Sequence, residues 1–166
     1  MAQAIILMGV SGSGKTTIGE LLGRRLGWPF YDADDFHPAA NVERMRQGIA
    51  LTDADRRPWL AALARLIDDA LGKNQSLILG CSALKEAYRA QLKPPGATAA
   101  AVRFIYLRVP IEVAAARTRE RRDHFMPASL VPSQFAALEE PQDAIVIDAT
   151  KTPDAVVEQI CRALTL

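Results

Sequence analysis

Residues 4–26 constrain the fold more than any other stretch, because three local patterns follow one another there without a gap. The apolar run AIILM at 4–8 is short and unbroken, as a strand buried on both faces must be. The glycine-rich GVSGSGKTT, Gly9 to Thr17, follows at once. Ile18, Leu21, Leu22 and Leu26 then recur at helical spacing until Gly27 and Pro29 stop them. Gly9 to Thr16 fits G-x-x-x-x-G-K-[ST] in the strand-to-helix setting that this motif requires. Glycines at 9, 12 and 14 let backbone amides converge on phosphate oxygens, and the helix N-terminus adds partial positive charge. Lys15 is placed to reach the β and γ phosphates, and the Thr16 hydroxyl to ligate Mg2+; Ser11, Ser13 and Thr17 complete the predicted nucleotide cradle.

The rest of the chain repeats the strand-then-helix rhythm. Apolar runs at 76–80, 102–107 and 144–147, with a weaker one at 29–32, read as further strands. Trp59, Leu60, Leu63, Leu66, Ile67 and Leu71 put one apolar face on a helix that begins near Asp53, which can cap it, and ends near Gly72. Further helices are predicted at 83–92, 110–122, 132–139 and 153–164, the last with Pro153 in its first turn. Strands alternating with helices imply an α/β fold, a parallel sheet covered on both faces. With 166 residues and no repeat or linker, one domain over 1–166 is expected.

Charge narrows the partners. Twenty basic and 19 acidic residues leave a formal net charge of +1, so no general field draws the protein to nucleic acid or to an anionic membrane, and an anion must be bound locally. Cys81 and Cys161 are far apart and lack metal-ligand spacing; with no signal-like or membrane-length run, a reduced, cytoplasmic setting is expected.

The acceptor of any phosphoryl group has to be sought beyond the loop. In YDADDFHP, Asp32 and Asp34 stand at the end of the second strand, the edge at which open α/β sheets bind ligands. Two carboxylates there suit positioning a metal and accepting a hydroxyl proton, although turn and cap roles explain them as well. His37, Asn41, Arg44, Asp55, Arg56 and Arg57 follow within a short polar segment whose donors and acceptors suit a polyhydroxylated acid. Trp59 is expected in the core rather than against a sugar. Ser82 reads as the N-cap of the next helix, with Lys85 and Arg89 one turn apart on it.

These stretches carry a resemblance. GVSGSGKTT, the middle block D-x-D-x-x-H-P-x-x-N-x-x-x-M-x-x-G followed by D-x-D-R-x-P-W-L, CSALKEAYR, and HFMPASLVPSQFAALEEP together resemble the gluconokinases of the P-loop type, related to shikimate and adenylate kinases. The resemblance implies a P-loop NTPase fold of three layers, α/β/α, with a five-stranded parallel sheet, a helical acceptor-binding insertion at about 36–72 and a lid at about 117–131. It implies ATP and Mg2+ as cofactors, D-gluconate as substrate, and a homodimer, for which no apolar stripe marks an interface. Residue by residue, Asp34 resembles the carboxylate beside the reactive hydroxyl and Asp32 the one near the metal. His37, Arg56, Lys85 and Arg89 would face gluconate or the transferred phosphate.

ARTRERRDHFMP holds Arg117, Arg119, Arg121 and Arg122 within six positions. Arg117 and Arg121 match the paired lid arginines of similar kinases, one suited to stack on adenine and the other to touch the phosphates, which makes Arg121 a catalytic candidate beside Lys15 and Asp34. The sequence departs from the common form at Arg122 and Asp123, where Lys-Gly is frequent before HF; His124 is a lesser candidate for closing the lid. Thr150 and Lys151 fall on the turn that related kinases set against adenine, and Thr152 suits a helix cap. A kinase for another small hydroxy acid such as shikimate, and a nucleotide-binding switch without turnover, are the competing readings.

Overall fold

A computed structural model describes residues 1–121 and 127–166. Five strands form one parallel sheet: β1 (Ala4–Met8), β2 (Phe30–Asp32), β3 (Leu77–Gly80), β4 (Val102–Arg108) and β5 (Ile145–Asp148), in the order β2-β3-β1-β4-β5. The central strand β1 pairs with β3 on one side and β4 on the other, which is why all five of its side chains are buried and its sequence is an unbroken apolar run.

Alternation along that strand divides the core in two. Ile5 and Leu7 face one layer with α1 (Lys15–Leu26) and α7 (Pro153–Leu164), while Ala4, Ile6 and Met8 face the other with α3 (Asp53–Gly72) and α4 (Glu86–Leu92). Cys161 lies in the first core and Cys81 in the second, so the sheet separates the two free thiols. Helices α2 (Ala39–Arg46), α5 (Ile111–Glu120) and α6 (Val131–Ala137) and two 3-10 turns, Ala33–Phe36 and Ala128–Leu130, complete the described chain. None of its helices is long and apolar enough to cross a membrane.

Two expectations about helix starts are corrected. Asp53 does not cap α3: Thr52 does, its hydroxyl accepting from the Asp55 amide while the Asp55 carboxylate accepts from the Thr52 amide, a reciprocal box that satisfies two otherwise unpaired donors. Ser82 does not cap α4, which begins only at Glu86. The preceding residues are held open instead, Ala83 in a left-handed conformation with its carbonyl bonded by Arg89. Thr152 caps α7 through the Ala155 amide, as read from the sequence.

Helix α1 lies close on β2 because Gly19 leaves room for the Phe30 ring; a Cβ there would stand 2.1 Å from Phe30 Cε2. Gly19→Ala should therefore destabilise the protein by about 1–2 kcal/mol in urea unfolding, the overpacking cost outweighing the roughly 1 kcal/mol that alanine gains in helix propensity.

Candidate functional site

The carboxyl ends of β1, β2 and β3 open on one cavity of about 380 Å³, lined among others by Gly12, Lys15, Thr16, Asp32, Asp34, His37, Arg56, Arg117, Arg121 and Gln134. Its floor is the loop between β1 and α1. Gly12 adopts φ +83°, and a Cβ on it would meet the Ala114 carbonyl at 2.4 Å, so the loop can press against α5 only with glycine there. Lys15 Nζ donates to the carbonyls of Gly9 and Val10, both at 2.9 Å, and burial pulls its pKa down against the raising pull of Asp34 and Asp32. Ser13 Oγ is fully buried with no hydrogen-bond partner among the described residues.

Next to the loop, Thr16 Oγ1 donates to Asp32 Oδ2 at 3.1 Å, and Asp32 Oδ1 accepts from the Asp34 amide at 2.9 Å. Burial, and then the negative charge of Asp34, raise the Asp32 pKa. A divalent cation shared by the Thr16 hydroxyl and the Asp32 carboxylate would relieve that tension. No three His, Cys, Asp or Glu side chains cluster for a metal among the described residues, so such an ion would need phosphate oxygens as well, which suits Mg2+.

The other wall belongs to the segment 33–60. The His37 ring stacks on Trp59 with centroids 4.1 Å apart, and Trp59 Nε1 donates to the Ala33 carbonyl at 2.7 Å. Trp59 is thus a core residue that also backs the cavity. His37 Nε2 lies 4.0 Å from Asp34 Oδ1. Burial is the main cause that lowers the His37 pKa to about 4, with Arg56 adding to it and Asp34 opposing. Arg56 donates to the Leu51 carbonyl at 2.6 Å and to Tyr88 Oη at 3.3 Å, and lies over the Tyr88 ring.

A scan of protein families matches the shikimate kinase model over residues 11–165. The gluconokinase of Gluconobacter oxydans is 44% identical over 95% of this chain and 89% of its own. A solved gluconokinase from Sinorhizobium meliloti is 36% identical, covers 98% of this chain and 91% of its own, and superposes with a TM-score of 0.83. The chain belongs to the gluconokinase family. A sugar kinase from Janibacter sp. HTCC2649 agrees, at 42% identity, with 99% of this chain and 95% of its own covered and a TM-score of 0.89. The five-stranded sheet is the P-loop kinase sheet of that family.

Within this family framework the predicted residues divide. Ser11, Gly12, Gly14, Lys15, Thr16, Thr17, Asp32, Asp34, His37, Arg56, Arg117 and Arg121 share the cavity lining. Lys85 instead lines a neighbouring pocket of about 300 Å³, to which Arg56 also belongs, and its Nζ lies 3.3 Å from Asp53 Oδ1. Arg89 is a correction. It is 2% exposed, and its guanidinium donates to the carbonyls of Ala83 and Glu139 and to the Glu86 carboxylate, so the cation supports the irregular 82–85 stretch instead of lining either pocket.

Arg117 bonds the carbonyls of Gly12 and Ala149, tying the loop to the turn after β5. Thr150 bonds Asp148 there, and neither Thr150 nor Lys151 lines the cavities. Arg122, Asp123 and His124 lie outside the described residues. Sequence reading missed Gln134, whose Oε1 accepts from the Ser11 amide at 2.7 Å; no motif announces a contact across 123 positions. Gln134→Met, which keeps the volume but removes the acceptor, should raise the KM for ATP about fivefold to tenfold in steady-state assays, the cost of one buried hydrogen bond at the loop.

Stability should carry the mark of the buried imidazole. The unfolded chain binds a proton at His37 below about pH 6.5, whereas the folded protein does so only near pH 4, so acidification across that window favours unfolding. Relative to His37→Asn, the wild type should lose on the order of 1–2 kcal/mol more between those two pH values, as read by urea titrations of both proteins.

Proposed function

We propose that this protein is an ATP-dependent gluconokinase, transferring the γ-phosphoryl group of ATP to the C6 hydroxyl of D-gluconate to give 6-phospho-D-gluconate and ADP. One observation carries the reading: the phosphate loop with Lys15 and the acceptor-side groups Asp34, His37 and Arg56 line a single cavity. The family relatives supply the acid, being gluconokinases by name. A shikimate-type acceptor is not favoured by them.

In this mechanism the chain positions and neutralises. Loop amides and Lys15 cradle the phosphates, Lys15 exchanging its loop-carbonyl bonds for phosphate oxygens. Thr16 and Asp32 would hold Mg2+, which when bound neutralises phosphate charge. Asp34 orients the C6 hydroxyl and accepts its proton as the oxygen bonds to phosphorus and ADP leaves. Arg56 and Lys85 offer cations to the carboxylate end of the acid, and Arg117 and Arg121 approach from the lid segment 117–131, Arg121 bearing on the phosphoryl charge. The segment 36–72 serves as the acceptor-binding insertion of a single domain. The cytoplasm, where ATP and sugar acids meet, is the proposed compartment.

A coupled ADP-release assay with Mg-ATP tests this, with D-gluconate set beside shikimate and other aldonic acids. Turnover should be selective for gluconate, and Asp34→Asn should lower kcat by about 100-fold or more. Turnover with shikimate but not gluconate would reassign the acceptor, and ATP binding without turnover on any acid would turn the protein into a nucleotide-dependent switch.

A further inference from the structure

Asn41 has no role in the transfer as described so far, yet its side chain is almost wholly buried beside the acceptor wall. Its amide orientation follows from one neighbour. The group 2.8 Å from the Asp55 carbonyl must be a donor, since two oxygens would repel there, so that atom is Nδ2. The same Nδ2 lies 3.4 Å from His37 Nδ1. A donor facing Nδ1 requires a lone pair on that nitrogen, and a neutral imidazole with a lone pair on Nδ1 carries its proton on Nε2.

The stack on Trp59 sets the plane of the ring, and Nε2 is the atom 4.0 Å from Asp34 Oδ1. That separation is too long for a hydrogen bond between the two groups. A hydroxyl oxygen lodged beside both can accept from Nε2–H and donate to the carboxylate, which fixes the direction of its O–H bond.

We propose that Asn41 is a positioning residue for the acceptor: by donating to Nδ1 it holds His37 as the neutral Nε2–H tautomer, whose proton is presented to a hydroxyl of the polyhydroxy acid beside Asp34. This rests on the gluconokinase reading for the identity of the acid, but not for the tautomer, which is a property of the protein alone. The depressed pKa of His37 agrees, because the imidazole stays neutral at physiological pH. The arrangement selects for acceptors with a hydroxyl at that point, since an acid lacking it leaves a buried N–H without a partner.

The chain has two histidines, so long-range proton–nitrogen NMR of the labelled protein resolves them, with His37→Gln assigning the signals. The expected wild-type result is a neutral His37 protonated on Nε2 and bare on Nδ1 at pH 7. Asn41→Asp replaces the donor with an acceptor and should move a proton on to Nδ1, raising the KM for gluconate about tenfold while the KM for ATP stays within about twofold. A wild-type His37 protonated on Nδ1, or an even mixture of tautomers, would overturn the proposal; so would an Asn41→Asp protein that keeps the wild-type signature. The wild-type spectrum decides the tautomer even if the variant fails to fold. Absence of gluconate turnover with the Nε2–H tautomer intact would count against the substrate and not against the role of Asn41 in holding the ring.

Discussion

The site depends on one register. Gly80, the last residue of β3, pairs with Leu7 of β1 on one side and with Asp32 of β2 on the other. Because all three strands run parallel, their carboxyl ends finish together, and the phosphate loop leaving β1 comes to lie beside the carboxylate ending β2. Gly80 also keeps that junction narrow: a Cβ there would stand 3.2 Å from the Phe30 ring and 3.5 Å from Lys15 Cβ. A one-residue slip of β2 would turn Asp32 to the opposite face of the sheet and separate it from Thr16.

Around that junction the protein uses its cations in two different ways. Arg117 and Arg89 spend their donors on backbone carbonyls, the first binding the loop to the turn after β5 and the second holding the irregular residues before α4. Arg117 also lines the main cavity, with Arg121 and with Arg56, which itself donates to the Leu51 carbonyl, while Lys85 lines the neighbouring pocket. The carbonyl bonds of Arg89 and Arg117 follow from backbone accounting. Segments 82–85 and 149–152 lie outside helix and sheet, and carbonyls such as Ala83 and Ala149 that these regular structures would otherwise pair are met by guanidinium groups. On the acceptor side Trp59, His37 and Asn41 form a buried, uncharged wall in which Trp59 Nε1 and Asn41 Nδ2 bond carbonyls and Asn41 faces His37 Nδ1, leaving His37 Nε2 for the acceptor.

Much of this was legible along the chain. The five strands fall within a residue or so of the apolar runs, because strands buried on both faces have no polar alternation to blur them. The loop and its helix follow from the motif, and α7 from Pro153 and Thr152. The start of α4 was not legible, since Ser82 is as good a cap as any until Arg89 takes the Ala83 carbonyl and holds the stretch open. Helix α2 was visible only as part of a helical insertion implied by resemblance, its eight residues carrying just two buried positions, Asn41 and Met45.

By itself, the sequence determined the strands and the phosphate loop, because these rest on local periodicity and on residues close in the chain, and its longer motifs carried the resemblance to the family. Only the tertiary structure decided that Gln134 holds the Ser11 amide, that Arg89 is structural while Arg56 faces the cavity, and that Asn41 reads the His37 ring. These are contacts between segments brought together by packing, and the physical reason is the same in each case: a buried polar group pairs with whichever complementary donor or acceptor the fold leaves without a partner.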